Sequence, residues 1–334
     1  MLVLGIETSC DETAVGIVED RFTLQANVIA SQVELHAPYG GVVPEVAARA
    51  HLDQMLPTVE TALAHAGARI GDIDAVAVTS GPGLMGALLV GVSAAKGIAL
   101  AHDIPLVGVN HLRAHVEASQ LEHGELEPPL VALVVSGGHT SIVVMEPDGG
   151  FRQLGSTIDD AAGEAFDKIA RFIGLDFPGG PEIDRLARGG DPQAYAFPRA
   201  LMDDSYDMSL SGLKTAVIRE LRRMEAAGVE PDLADVAASF QEAIVDVQVL
   251  KTLRAAADEG LDQVVLAGGV AANSRLRERF TQECDVNGQR LIIPSVPLCT
   301  DNGAMVAASG ANLYAAGRTA GLGLAVDANL PLAG

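Results

Sequence analysis

The sequence predicts an α/β protein made of two similar lobes with a cleft between them. Its opening strand, small polar loop and second strand recur near residue 130. In both halves this pattern is followed by helices, a further strand, a Gly-containing loop and another helix. Alternating strands and helices are typical of α/β folds, and the repeated order of elements indicates an internal duplication.

In the first half, apolar runs and turn residues predict a hairpin followed by alternating helices and strands. The predicted elements are a strand at 2–7, a loop at 8–13, a strand at 14–18, a helix at 43–66, a strand at 75–78, a loop at 79–83 and a helix at 84–100.

The second half repeats this order. Its predicted elements are a strand at 130–135, a loop at 136–140, a strand at 141–145, helices from 159 onward, a strand at 264–267, a loop at 268–269 and a helix at 271–280. We place the lobes at residues 1–110 and 111–334, and expect a last helix at about 302–325 to pack back on the first lobe.

Composition limits the classes of function. With 334 residues and 49% hydrophobic content, the chain can bury a large core. A formal net charge of −22 with only four lysines would repel a polyanion, so composition alone argues against nucleic-acid binding. No run of about 18 uncharged apolar residues occurs, so we expect a soluble, cytoplasmic protein without membrane contact.

Glycine-containing loops indicate a phosphate site. Loops 8–13 and 136–140, facing each other across a cleft, would offer backbone N–H groups to phosphates. Gly268 and Gly269 stand before a helix with Asn273 in its first turn, where helix N-terminal amides favour an anion. Either hairpin loop taken alone is more often an ordinary turn, because Gly, Ser and Asp are common turn residues for conformational reasons.

His111 and His115 are four residues apart, so on a helix capped by Asn110 both imidazoles point to one side and can share a metal ion. A lone pair at this spacing is more often a solvated face or a packing contact. Leu112 follows His111, so the His-Glu-x-x-His signature of zinc proteases is absent. The best third ligand is Asp301, for which the alternative role is a helix N-cap.

Two further sets of acidic residues are candidates for substrate binding or catalysis. Asp160, Glu164 and Asp167 are predicted on one helical side, and Asp184 follows in the next helix. They are suited to binding hydroxyl groups of a substrate, although a solvated charged face is the alternative. Asp11 and Glu12, in the first loop, can organise water or a reacting amine, or they simply begin a turn.

Several long segments together resemble the universal TsaD family, in its bacterial type, and the resemblance extends over nearly the whole chain. The segments are residues 5–13, 36–45, 136–140, 159–168, 211–215, 267–273 and 299–305.

The resemblance implies an actin-like and Hsp70-like ATPase fold with a central nucleotide and metal cleft. It implies that His111, His115 and Asp301 bind one divalent metal ion, iron(II) in the cell, with zinc or magnesium able to replace it in vitro. ATP or threonylcarbamoyl-AMP is the implied nucleotide ligand. The implied contacts of that ligand are Val134, Val135, Ser136, Gly137, Gly138, Asp167, Gly180, Asp184 and Asn273.

The family's reaction transfers a threonylcarbamoyl group from threonylcarbamoyl-AMP to N6 of adenosine 37 in tRNAs that read codons beginning with A. Asp11 or Glu12 is a candidate to help remove the N6 proton. The resemblance also implies partners: tRNA, an inert TsaB-like paralogue in a heterodimer, a TsaE-like ATPase, and a TsaC-like enzyme that supplies the adenylate.

The acidity of the chain then requires a local basic patch or partner proteins for tRNA binding. Candidate patches are Arg219, Arg222 and Arg223, or Arg275, Arg277 and Arg279, unless these arginines pair with acids such as Glu220 and Glu278.

Three other functions remain open. A small-molecule kinase of the same fold would also use phosphate loops, but Mg²⁺ prefers oxygen ligands to histidines. A metalloprotease that acts as an O-sialoglycoprotein endopeptidase would need a His-Glu-x-x-His motif, which this sequence lacks. A non-catalytic nucleotide-binding paralogue would lack the histidine pair and Asp301, which are present.

Overall fold

A computed structural model describes residues 1–332. Contacts divide them into two compact units, the first of residues 1–126 and 294–332 and the second of residues 127–293. The predicted boundary at 110/111 differs from this division. Residues 111–126 and 294–332 pack with the first unit through long-range contacts that no local pattern reveals.

The first unit begins with three antiparallel strands, followed by helices that alternate with two parallel strands. These elements are β1 (Leu2–Glu7), β2 (Glu12–Glu19), β3 (Thr23–Ser31), α1 (Val33–His36), α2 (Pro44–Ala66), β4 (Ala75–Gly81), α3 (Met85–His102), β5 (Leu106–Asn110), α4 (His111–Glu117) and α5 (Gln120–His123). The predicted hairpin, helices and strand are confirmed.

The second unit repeats this order. Its elements are β6 (Leu130–Val135), β7 (Thr140–Met145), β8 (Phe151–Ser156), α6 (Ala162–Phe172), α7 (Gly179–Ala187), α8 (Ser211–Ala226), α9 (Leu233–Glu259), β9 (Gln263–Ala267), α10 (Ser274–Asn287) and β10 (Arg290–Ile292).

The chain then returns to the first unit with α11 (Val296–Cys299) and α12 (Gly303–Ala315). The helix expected at about 302–325 therefore ends at Ala315, and Gly317 two residues later adopts a left-handed φ of 72°, which glycine favours.

The two sheets have matching topology. Their strand orders are β3-β2-β1-β4-β5 and β10-β9-β6-β7-β8. In each, the first strand pairs antiparallel with the second and parallel with the fourth, as β1 does with β2 and β4 and β6 does with β7 and β9. This shared topology agrees with the predicted duplication.

The first sheet is covered by helices on both faces. Successive residues of β1 face opposite sides, so Leu4 packs toward α2 and α3 while Val3 packs toward α4 and α12. Glycine allows α12 to approach the strands closely: a Cβ on Gly303 would lie 2.1 Å from the Gly16 nitrogen. This contact fixes the start of α12, two residues after Asp301.

Within residues 1–332, one helix, Met85–His102, is long and apolar enough to cross a membrane by length and composition. This helix is α3, which packs against β4 and α2 in its unit. Core helices of soluble proteins pass the same test, so the feature is weak evidence for a membrane span.

Candidate metal centre and nucleotide loops

Helix α4 places two histidines side by side. The side chain of Asn110 accepts hydrogen bonds from the N–H groups of Leu112 (2.9 Å) and Arg113 (3.2 Å), which caps the helix directly after β5. His111 and His115 are both buried, and their ring centroids lie 4.6 Å apart in an edge-on arrangement. The predicted cap and the shared direction of the imidazoles are therefore present.

Asp301 brings a carboxylate to this pair from far along the chain. Its Oδ1 lies 3.1 Å from His115 Nε2 and 3.6 Å from His111 Nε2. The alternative role of Asp301 as a helix cap is wrong, because the cap of α12 is Asn302, whose side chain accepts from the N–H of Met305. Asp301 is thus placed beside the histidines without being needed to start the helix.

The donor set suits a metal ion. One ligand atom from each of His111, His115 and Asp301 lies within 4.8 Å of the others. Two imidazole nitrogens and a carboxylate oxygen are a common ligand set for iron(II) and zinc, and they leave positions open for substrate oxygens. These residues therefore fit the predicted ion.

A second carboxylate orients His111. Glu7 Oε2 lies 3.3 Å from His111 Nδ1, and Glu7 itself accepts hydrogen bonds from the Ser9 N–H and the Thr79 hydroxyl. A carboxylate on the far nitrogen of a metal-ligating histidine commonly fixes its orientation. Sequence reasoning missed this role of Glu7, although an acidic residue ending the apolar strand β1 was a usable signal.

The pKa values of His111 and Glu7 depend on each other and on the charge of Asp301 beside them. Burial acts to lower the pKa of His111, but the carboxylates of Asp301 and Glu7 raise it to about 9. Burial likewise acts to raise the pKa of Glu7, but His111 holds it below its ordinary value. Two carboxylates in a buried place require a nearby positive charge, which a protonated imidazole or a metal cation supplies.

The first hairpin loop carries Asp11 and Glu12. Burial raises the pKa of Glu12 to about 7, and burial followed by the charge of Asp301 raises the pKa of Asp11. Glu12 Oε1 accepts a hydrogen bond of 2.8 Å from Ser31, while its buried Oε2 has no hydrogen-bond partner among residues 1–332. A carboxyl group with this pKa changes its protonation state near neutral pH.

A buried histidine holds this loop. His51 Nε2 lies 3.0 Å from the carbonyl oxygen of Cys10, and its Nδ1 lies 2.7 Å from the Thr13 hydroxyl. Burial lowers the pKa of His51, so the neutral ring donates to Cys10 and accepts from Thr13. No local pattern predicts this contact, because helix α2 carries His51 to the loop from a distant position in the chain.

In the second unit, two Gly-containing loops follow neighbouring parallel strands. Val134 pairs with Ala267, so the turn after β6 and the turn after β9 lie at the same sheet edge. Gly268 has a φ of 93°, and a Cβ there would lie 2.4 Å from the Val135 carbonyl oxygen. Ligands of α/β proteins commonly bind at the carboxyl ends of parallel strands.

The backbone is open at Gly137 and Gly138 in the turn after β6 and at Gly180 in the first turn of α7. A Cβ added to Gly137, Gly138 or Gly180 would meet nothing within 4 Å apart from its chain neighbours in the described structure. Glycine there leaves room for a ligand to approach the backbone N–H groups. Val134 and Val135 are buried in β6, and Ser136 begins the turn by donating its N–H to the His139 carbonyl.

The remaining residues predicted to contact the nucleotide, Asp167, Asp184 and Asn273, accept hydrogen bonds from groups at the first turns of α7 and α10. Asp167 accepts a hydrogen bond of 2.7 Å from the Gly179 N–H at the start of α7. Asp184 accepts from the hydroxyl of Ser274 at 2.7 Å, and Asn273 caps α10 by accepting from the Leu276 N–H. These side chains therefore tie α6, α7 and α10 together next to the open loops.

A family model of TsaD, tRNA N6-adenosine threonylcarbamoyltransferase, matches residues 23–308. The chain belongs to the TsaD family. The predicted resemblance and the predicted enzyme class are thereby confirmed. Membership favours the transferase interpretation over the kinase, metalloprotease and non-catalytic alternatives.

Two curated relatives bear the same name. The Geobacillus thermodenitrificans tRNA N6-adenosine threonylcarbamoyltransferase is 52% identical to this TsaD-family chain over 332 residues, 99% of the chain and 96% of the relative. The Bacillus cereus protein of that name is 51% identical over 333 residues, with the same shares covered.

Solved structures agree on the fold of this TsaD-family chain. Component A of (R)-2-hydroxyglutaryl-CoA dehydratase from Acidaminococcus fermentans matches with a TM-score of 0.56 and 14% identity over 94% of the chain and 99% of that protein. HypF of T. kodakarensis matches with a TM-score of 0.63 and 14% identity over 95% of the chain and 48% of HypF. The predicted actin-like ATPase fold class is confirmed.

Proposed function

We propose that this enzyme transfers the threonylcarbamoyl group of threonylcarbamoyl-AMP to N6 of adenosine 37 in tRNAs that read codons beginning with A. The observation that carries the proposal is the convergence of His111, His115 and Asp301 within 4.8 Å in a chain of the TsaD family. In this step a bond forms between N6 and the carbamoyl carbon, the bond from that carbon to the phosphate oxygen breaks, AMP leaves, and N6 loses a proton.

The three donors are proposed to hold iron(II), with zinc or magnesium able to take its place in vitro. A cation bound there would stabilise negative charge on phosphate and carbonyl oxygens of the substrate. The protein's own contribution is orientation: Glu7 fixes the ring of His111, and Asn302 fixes the start of α12 directly after Asp301.

The loops of the second unit are proposed to hold the nucleotide, either threonylcarbamoyl-AMP or ATP. Open backbone at Gly137, Gly138 and Gly180 supports contact with phosphate through N–H groups. Asp167, Asp184 and Asn273 would keep the surrounding helix starts in place and offer oxygens to ribose hydroxyls. Val134, Val135 and Ser136 would form the strand end beside the ligand.

Single-turnover transfer tests the function directly. Synthetic threonylcarbamoyl-AMP and unmodified tRNA are mixed with the metal-loaded enzyme and its partner proteins, and modified adenosine is measured by mass spectrometry of digested tRNA. We expect modification at adenosine 37 only, with release of one AMP per transfer. Failure to modify any tRNA that reads codons beginning with A would contradict the proposal.

Glu12 is proposed to accept the N6 proton, and a pH profile tests this role. A base must be deprotonated, so the transfer rate is expected to rise as pH increases through about 7, the raised pKa of Glu12. Glu12→Gln should lower the rate by about 100-fold and flatten the profile, since general-base contributions are typically of that size. A Glu12→Gln enzyme that keeps the wild-type profile would exclude Glu12; the parallel Asp11→Asn variant then tests its neighbour.

Partner proteins are also part of the proposal, namely a TsaB-like paralogue, a TsaE-like ATPase and a TsaC-like supplier of adenylate in the cytoplasm. Helices α2 and α3 present an exposed apolar face that supports a helical partner. Leu52 and Leu56 on α2 are 65% and 67% exposed, and Leu89 on α3 is 50% exposed. Apolar residues at i and i+4 on neighbouring helices form a ridge suited to packing against another helix.

The double variant Leu56→Arg, Leu89→Arg is expected to weaken heterodimer formation by about 30-fold or more, because a charge would be buried at the centre of an apolar interface. Affinity is measured by calorimetry with the purified paralogue. Val286→Arg, an 82% exposed apolar site on α10, is the control and should leave affinity unchanged. Equal affinity for the double variant and the wild type would exclude this face.

A further inference from the structure

Two arginine groups are candidates for tRNA binding, and ion pairing separates them. Arg275 contacts Glu242 at 2.7 Å and Glu278 at 2.7 Å, and Arg279 contacts Glu242 at 2.6 Å and Asp246 at 3.0 Å. The alternative expectation, that these arginines pair with acids, is therefore confirmed for Arg275 and Arg279. An arginine already held by carboxylates gains little from a phosphate, because the carboxylates must first be separated from it.

The other group, on α8, is different. Arg223 pairs with Glu220 at 2.7 Å, as the alternative expected. Arg219 and Arg222 are exposed, and neither forms an ion pair within 4.0 Å in the described part of the chain. Helix α8 carries four cations (Lys214, Arg219, Arg222, Arg223) and two anions (Glu220, Glu225), a local charge of +2 on a chain of net charge −22.

A neighbouring helix extends this positive surface. The guanidinium of Arg222 lies 6.0 Å from the centre of the Phe172 ring at the end of α6. Phe172 is 41% exposed, and the adjacent Arg171 is exposed without an ion pair among residues 1–332. The four residues Arg171, Phe172, Arg219 and Arg222 are called the α6/α8 arginine surface below.

Contacts at both ends join α6 to α8, so the arginine surface on these two helices has a fixed orientation. Asp160 was expected on the same helical side as Glu164 and Asp167, but it precedes α6 and accepts from both Lys168 (2.8 Å) and Lys214. The two helices are thus joined at their starts by Asp160 and near their ends by Arg222 on Phe172. Gly163, in the first turn of α6, donates its N–H to the Ser136 carbonyl, which places the helix start at the predicted nucleotide loop.

We infer that the α6/α8 arginine surface binds the tRNA substrate, an inference that rests on the proposed function. Unpaired arginines release counterions when they contact phosphates, and this release drives RNA binding even for an acidic protein. An exposed aromatic ring beside arginines also offers stacking to an unpaired base. Arg219 and Arg222 lie about 4.5 Å apart along α8 at about 1.5 Å per residue, and Arg171 on α6 adds a third cation, so the surface presents three guanidinium groups to the RNA backbone.

The test compares two triple variants with the same change of net charge. Arg171→Gln, Arg219→Gln, Arg222→Gln removes the surface. The control, Arg69→Gln, Arg152→Gln, Arg185→Gln, removes three exposed arginines that are already ion-paired. Binding of unmodified tRNA is measured by fluorescence anisotropy at several salt concentrations, starting at low ionic strength.

We expect the first variant to weaken binding about 10-fold or more and to reduce the salt dependence by two to three phosphate contacts, about 0.7–0.9 in slope for each. The control should bind like the wild type. At saturating tRNA the first variant should regain the wild-type transfer rate, because the surface binds substrate and takes no part in chemistry.

The outcomes separate the two proposals. If both triple variants bound tRNA equally weakly, or if both bound it like the wild type, the proposed tRNA-binding role of this surface would be overturned. The transferase function would be left intact. A wild-type enzyme that neither binds nor modifies tRNA would overturn both. A variant that binds tRNA weakly but has the same salt slope as the wild type would also exclude direct phosphate contacts by these arginines.

Discussion

Asp301→Ala is expected to abolish tight metal binding and to lower single-turnover transfer by about 1,000-fold. The carboxylate lies 3.1 Å and 3.6 Å from the two imidazole Nε2 atoms, and α4 supplies no third donor in its place. Residues that merely orient metal ligands commonly change affinity by about 10–100-fold, so loss of a direct ligand should exceed that range. A cation's charge stabilisation is worth several kcal/mol, and about 4 kcal/mol corresponds to the expected 1,000-fold.

Metal affinity is measured by anaerobic titration of the metal-free protein with iron(II), and in parallel with zinc. Asp53→Ala is the matched control: it removes the same charge from an exposed position on α2 and should leave both affinity and rate unchanged. Thermal unfolding of the metal-free proteins checks that Asp301→Ala still folds. Wild-type metal affinity in that variant would remove Asp301 from the ligand set, and an unchanged transfer rate with weak metal binding would remove the ion from the chemistry.

Local patterns in the sequence were sufficient for much of the fold. The hairpin β1–β2 and its counterpart β6–β7 were predictable because apolar strands flank short loops of small polar residues, which are local signals. The start of α4 was equally predictable, because Asn110 stands directly before the first histidine. Repetition of these signals in both halves predicted the duplication.

Other parts depend on contacts between distant residues. His115 and Asp301 are 186 positions apart, so local patterns could not decide whether Asp301 is a metal ligand or a helix cap; the family resemblance favoured the ligand. The position of residues 294–332 with the first unit depends on close packing of α12 against glycines in β1 and β2. Ion pairs between distant residues are equally hard to predict. The sequence does not show that Arg275 pairs with Glu242 while Arg222 has no acidic partner within 4.0 Å in the described residues.

Close packing at the start of α12 leads to the largest expected change in stability. A Cβ on Gly303 would lie 2.1 Å from the Gly16 nitrogen and 2.2 Å from the Val15 carbonyl carbon. These are backbone atoms in the centre of the sheet, so they cannot move aside as a flexible side chain does. Gly303→Ala is therefore expected to lower the free energy of unfolding by about 3 kcal/mol, at the upper end of overpacking effects.

Gly97→Ala, in the interior of α3, is the matched control. A Cβ at Gly97 would meet nothing within 4 Å, so alanine there should raise the free energy of unfolding by about 0.5–1 kcal/mol through its helix propensity. Both free energies are measured by urea unfolding of the metal-free proteins.

Metal affinity connects this packing to the proposed site. A shift of α12 away from β2 also shifts Asp301, which stands two residues before Gly303, while α4 keeps both histidines in place. Gly303→Ala should therefore weaken iron(II) binding even under conditions where the variant is fully folded, and Gly97→Ala should not. If Gly303→Ala lost stability but bound iron(II) like the wild type, the position of Asp301 would not depend on the contact between α12 and the sheet.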